Sequence, residues 1–198
     1  GNVYSTQSGK TNYVWNIVGG TITSGGTSSD NTATVTWTSV GTQSISVNYT
    51  DGNGCTAALS TVQTVTVNAL PTPIFTVAPT CVNSTGNIYT TESGKTNYVW
   101  NISGGTITSG GTSSDNSATV TWTSSGIQFI SVNYTDANGC TAGSETEQSV
   151  TVNSLPAPSF ITAQSSVCVN STGNIYSTEF GKTNYVWNIS GGTITSGG

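Results

Sequence analysis

The sequence predicts an all-β protein built from tandem immunoglobulin-like antiparallel β-sandwich modules. Three observations predict it. Apolar and polar residues alternate with a period of two along several runs, as they do on a half-buried strand. Turn-forming Gly, Asn and Asp clusters separate those runs. No segment sustains a 3.6-residue apolar pattern, so helix is not expected.

Each element can be justified in order. The nine residues GKTNYVWNI occur at Gly9–Ile17, Gly94–Ile102 and Gly181–Ile189. Within the second copy, Tyr98, Trp100 and Ile102 share one face. In ATVTWT, Ala118, Val120 and Trp122 align, with Thr119 and Thr121 opposite. In the next run Ile130, Val132 and Tyr134 point one way, matching Ile45, Val47 and Tyr49 in the first copy. Ser44 is replaced by Phe129 and Thr42 by Ile127 in that strand, so these positions face solvent. Val150 and Val152 give the last strand its inward face. Trp100, Trp122, Tyr98, Val132 and Tyr134 are therefore the expected core. Asp51–Gly54 (DGNG) and Asp136–Gly139 (DANG) suit tight hairpin turns with a left-handed Gly. About seven short strands in about 85 residues, separated by such turns, is the pattern of an immunoglobulin-type sandwich.

The copies set the domain organisation. Gly1-Asn2-Val3-Tyr4 returns at Gly86–Tyr89 and Gly173–Tyr176, offsets of 85 and 87 residues. Leu70–Pro73 and Leu155–Pro158 read as short, semi-stiff junctions. The expected division is a module lacking its first strand at 1–69, a complete module at 70–154, and the N-terminal half of a third at 155–198. A chain that starts and stops inside modules is expected to be a window from a longer array. The alternative is that neighbouring chains complete its ends by strand donation, giving an extracellular fibre.

Composition narrows function. Charged residues are 6% of the chain, net charge is −5, and there is no His and no Met. So few cations cannot neutralise phosphates, which argues against nucleic acid and anionic lipid as partners. No run approaches the ~18 apolar residues of a membrane span, so no membrane insertion is expected. Without His there is no ordinary Ser-His or Cys-His pair. The eight acidic residues are scattered; Glu145 and Glu147 share a strand face in one copy only. No enzymatic activity and no cofactor are expected.

The remaining candidates each have a bland reading. Asp51 with Asn53, and Asp136 with Asn138, are weak calcium candidates, because calcium wants six or more oxygens and one carboxylate per loop is thin. Lys10, Lys95 and Lys182 could crosslink to Asn, but their turn positions favour a solvated amine. Thr-x-Thr pairs such as Thr119–Thr121 could order ice or contact sugar, and outward Thr is also ordinary on a solvated sheet.

Cys55, Cys81, Cys140 and Cys168 leave three states open. One is a Cys81–Cys140 disulfide inside the complete module, another a bond to an adjacent module, and the last free thiols. The intramodule bond meets a difficulty. A cysteine before the second strand and one after the sixth lie at opposite ends of a sandwich roughly 25–30 Å long at ~3.3 Å per residue, while a disulfide needs Cα atoms within about 7 Å.

The order GNIYTTESGKTNYVWNISGGTI, ATVTWTSSG, ISVNYTDANGCTA, VTVN resembles the PKD-like modules of giant Bacteroidetes surface proteins. Among these it resembles the gliding adhesins of the SprB type. The resemblance implies a β-sandwich stalk or spacer of a secreted cell-surface adhesin, exported by the type IX system and serving adhesion or gliding motility. Implied partners are neighbouring modules of the same chain, with surface polysaccharide or other cells as further ones. One departure is plain. Trp100 is followed by Asn101-Ile102-Ser103-Gly104-Gly105, where classical PKD modules carry Asp-Phe-Gly-Asp-Gly, so roles tied to those acids do not transfer. A glycan- or ice-binding module is the other reading from a different class.

Overall fold

The computed structural model describes residues 1–197 and is all-β. Gly198 lies outside the described residues. Two compact units form, Gly1–Asn153 and Ser154–Gly198. The first unit holds two copies of the repeat.

The first copy contributes β1 (Asn2–Ser5), β2 (Thr11–Val18), β3 (Gly20–Gly25), β4 (Thr32–Trp37), β5 (Gly41–Thr50) and β6 (Thr61–Val67). These form two three-stranded antiparallel sheets, ordered β1-β4-β3 and β2-β5-β6. The second copy contributes β7 (Thr80–Cys81), β8 (Asn87–Thr90), β9 (Thr96–Ile102), β10 (Gly105–Gly110), β11 (Ser117–Trp122), β12 (Gly126–Thr135) and β13 (Thr146–Asn153). Its sheets are β10-β11-β8 and β7-β13-β12-β9. The extra strand, β7, runs parallel to the end of β13, with Thr80 beside Val152 and Cys81 beside Asn153.

The second copy has the fuller core. Tyr89, Tyr98, Trp100, Ala118, Val120, Trp122, Ile130, Val132, Tyr134, Val150 and Val152 are buried between its sheets, with Phe75 closing one side. Alternation explains the selection, since these residues occupy every second position of β8, β9, β11, β12 and β13. Phe129 and Ile127 are exposed, on the opposite face of β12. The two indoles are tied down differently. Trp100 Nε1–H donates to the Asp115 carbonyl (3.0 Å) and Trp122 Nε1–H to the Tyr89 hydroxyl (3.0 Å). Buried indoles need such an acceptor. Gly105 makes room for the second, because a Cβ there would lie 3.0 Å from Trp122 Cε3 and 2.9 Å from the Thr121 carbonyl oxygen.

The segment read as a junction is partly core. Leu70 is exposed, yet Pro73 is fully buried and Phe75 packs edge-on against Trp100, ring centroids 5.9 Å apart. Thr91 Oγ donates to the Ile74 carbonyl (3.0 Å), and the Ile74 N–H donates to Glu92 (3.3 Å). The prolines suit this, since an extended chain crossing the mouth of a sandwich loses little by lacking N–H groups. In the first copy Trp15, Trp37, Val65 and Val67 are only half-buried.

The second unit, by itself, has two short strands, β14 (Phe160–Thr162) and β15 (Ser177–Thr178), paired antiparallel. Phe160 lies against Trp187 at 6.0 Å. Ser159 and Thr178 both donate to Glu179, repeating the anchoring of Ile74 near Glu92. These bonds hold the Glu179 carboxyl down at about 2.

Candidate functional site

The repeated nonapeptide is a structural device. Gly94 and Asn97 take left-handed backbone (φ +73° and +53°), which Gly and Asn tolerate best. The Tyr98 hydroxyl accepts from the Lys95 N–H (3.0 Å) and donates to the Glu92 carbonyl (2.8 Å), pinning the turn to the strand that follows. The Lys95 ammonium sits 5.8 Å from the Tyr134 ring centroid, a cation–π distance.

The Asp-x-Asn-Gly-Cys turns are also built for backbone reasons. Asp136 Oδ1 accepts from the Asn138 and Cys140 N–H groups, each 2.9 Å, and Gly139 is left-handed at φ +77°. Asp51 makes the same pair of contacts with Asn53 and Cys55. The weak calcium candidates Asp51 and Asp136 thus each spend an oxygen on their own turn. No group of three or more potential metal-ligating His, Cys, Asp or Glu side chains occurs among the described residues.

These contacts have a pH consequence. The Cys140 N–H, with help from Asn138, holds the Asp136 carboxyl below its usual range, and Cys55 then Asn53 do so for Asp51. Thr112 and Thr27 act likewise on Asp115 and Asp30. The folded chain therefore binds fewer protons than the unfolded chain near pH 4. Stability from these turns is present above the unfolded carboxyl value of about 3.9 and is lost as pH falls through the lower folded values. Urea midpoints should be flat from neutral pH to about pH 5 and fall below about pH 4. A decline that starts near pH 6 would contradict this assignment.

Cys81 and Cys140 do not pair; all four cysteines are free. Cys81 lies at the Asn153 end of the β12–β13 ladder, where Gly126 faces Val152. Cys140 lies at the other end, beyond Thr135. Ten-residue β12 separates the two by about 30 Å at ~3.3 Å per residue. Within the module the two thiols thus lie at opposite ends, too far apart for a bond between them.

Two concave sites lie in the first unit. A shallow one in the second copy is lined by Asn101, Ile102, Ser103, Phe129, Ser131, Glu145 and Glu147. There Glu145 accepts from Asn101 Nδ2 (2.6 Å) and from Ser131 Oγ (2.5 Å). First-copy Ser60 and Val62 occupy the positions of Glu145 and Glu147, so the acidic lining belongs to one copy. The other site is a cleft of about 380 Å³ along the open edge of β6, lined by Trp37, Val65, Val67, Asn68, Gly1 and Asn2, and by Cys140. Sequence reasoning missed both. The recurrence of Phe75 as Phe160 after each Pro-x-Pro was the available signal that this segment packs.

A family model for a PKD-like domain matches residues 154–198. The matched stretch recurs with few changes from Ala69 in the second copy and from Gly1 in the first. No curated protein matches the chain. Among solved structures the chain is similar to domains 4 and 5 of the S-layer protein SbsC, at 16% identity and TM-score 0.29, covering 74% of this chain and 72% of that one. It spans 27% of the longer SbsC structure of domains 4–9, at 14% identity, TM-score 0.30 and 85% of this chain. Yersinia pseudotuberculosis InvD is similar at 20% identity and TM-score 0.30, over 87% of this chain and 57% of that one. No helix among the described residues is long and apolar enough to cross a membrane.

Proposed function

We propose that the chain is a length of stalk from a large secreted cell-surface adhesin, in which copies at 1–69, 70–154 and 155–198 act as consecutive sandwich modules and none is catalytic. The observation that carries this reading is the enclosure of Trp100 and Trp122 by strands of their own copy, with hydroxyl-rich faces left outside. Repetition then adds length and leaves chemistry unchanged. Transport by a type IX system and a part in gliding rest on the sequence resemblance. Neighbouring modules are the first partners.

A second reading is favoured by one observation. The shallow site with Phe129, Asn101, Glu145 and Glu147 offers an aromatic face beside carboxylates, the chemistry that holds a sugar. Two measurements separate the readings. Single-molecule stretching of the stalk should show copies unfolding one at a time, each releasing roughly 250 Å of chain at 3.3–3.6 Å per residue. A glycan array should show no saturable binding. Saturable binding abolished by Phe129→Ala would replace the stalk with a glycan-binding module.

A further inference from the structure

The cleft beside β6 is filled in the second copy. There the positions matching Gly1, Asn2, Trp37, Val67 and Asn68 are Gly86, Asn87, Trp122, Val152 and Asn153. Residues Thr80–Asn83 lie across them. The Val82 N–H donates to the Asn153 carbonyl (2.9 Å), the Asn83 N–H to the Trp122 carbonyl (2.8 Å), and Asn153 Nδ2 to the Thr80 carbonyl (3.1 Å). Thr80 Oγ donates to Asn87 Oδ1 (2.8 Å), and Asn87 Nδ2 to the Val120 carbonyl (2.9 Å). Cys81 stands in the middle of this seated segment, beside Asn153, and is exposed. In the first copy the position beside Asn68 is open, and Cys140 of the second copy lines the same cleft.

We infer that the β6 cleft seats a Thr-Cys-Val-Asn segment, and that the cysteine of that segment is the disulfide partner of Cys140, joining one copy covalently to the next. The segment is committed by the second copy itself. Its backbone donors meet carbonyls of Trp122 and Asn153 that have counterparts at Trp37 and Asn68, and an unpaired strand edge is the usual seat for an added strand. Translation by one repeat makes Cys81 pair forward, with the hairpin cysteine of a following copy, and Cys55 pair backward. Bond formation is a two-electron oxidation by a small-molecule disulfide. One cysteine thiolate attacks the reagent and expels one thiol. The second cysteine then displaces the other half, so one protein S–S bond forms and two reagent thiols leave. The inference rests on the array reading above, but its test does not involve glycan binding, so either can fail alone.

The test uses the full chain with a synthetic peptide of the sequence Ala78–Thr85, its cysteine activated as a mixed disulfide. Cys55 is exposed and Cys140 half-buried, so a small uncharged thiol reagent should label Cys55 at least as fast. The peptide should reverse that order and modify Cys140 at least tenfold faster than Cys55. Peptide mapping without reduction reads the site, and a scrambled peptide should lose the preference. In a second measurement the sequence Leu70–Thr85 is fused ahead of Gly1, and the chain is oxidised with glutathione disulfide. One intramolecular bond, from the added cysteine to Cys140, is expected. Equal peptide labelling of Cys55 and Cys140, or an added cysteine that stays free or bonds elsewhere, overturns the inference.

Discussion

Trp122→Ala should cost the second copy about 3–5 kcal/mol, the usual range for emptying a buried aromatic site. Trp122 is fully buried, packs edge-on against Tyr89 at 6.2 Å and donates to its hydroxyl. Truncation leaves an indole-sized cavity between the sheets. It also removes the hydrogen-bond donor facing the buried Tyr89 hydroxyl. A domain of ordinary stability has about 5–15 kcal/mol in hand, so the loss is a large share of the whole. Trp37 makes the same contacts to Tyr4, at 6.1 Å and 3.0 Å, but is half-buried beside the open cleft. Trp37→Ala should cost clearly less, because water can fill the space. Since several copies unfold in one chain, a single two-state fit is unsafe. Amide hydrogen exchange along β4 and β11 resolves the two copies. Equal losses at Trp37 and Trp122 would refute the account of the cleft as the reason for the difference.

Phe75→Ala should cost about 3 kcal/mol, toward the lower end for a buried aromatic because Phe75 sits at the edge of the core. Its ring covers Trp100 and fixes the approach of Leu70–Thr85 to the sandwich. Losing it should loosen the whole segment, so that the Val82 and Asn83 N–H groups exchange faster and protease cuts between Leu70 and Thr85. Leu70→Ala is the control. Leu70 is exposed, and its loss should leave both readouts unchanged. If Phe75→Ala changes neither exchange nor cleavage, the segment is a linker and the cleft proposal loses its template.

Much of the fold was legible because its causes are local. Period-two alternation names the inner residues of β9, β11, β12 and β13, and the replacements at 42 and 44 mark the outer face of β5. Two features were not legible. Leu70–Thr85 lacks alternation, and its Pro residues read as a spacer, yet burial of Pro73 and Phe75 depends on a sandwich mouth formed by strands far along the chain. The state of the cysteines was the other: strand direction already set Cys81 and Cys140 at opposite ends of a module, but no local signal says what either thiol meets there.

The third copy separates what sequence settles from what it cannot. Its GKTNYVWNI is letter-for-letter that of the other two. The turn forms again. Gly181 and Asn184 are left-handed at φ +78° and +53°, and the Tyr185 hydroxyl accepts from the Lys182 N–H at 2.8 Å. Residues 183–189 nevertheless form no strand, whereas Thr96–Ile102 does, against β12. Turn geometry is fixed by steric preferences of single residues and bonds spanning a few positions, so the letters alone determine it. A ladder needs donors and acceptors from a strand some thirty residues onward, and an indole is covered only when both sheets are in place. Strand formation and burial of the indoles were therefore decided by tertiary structure.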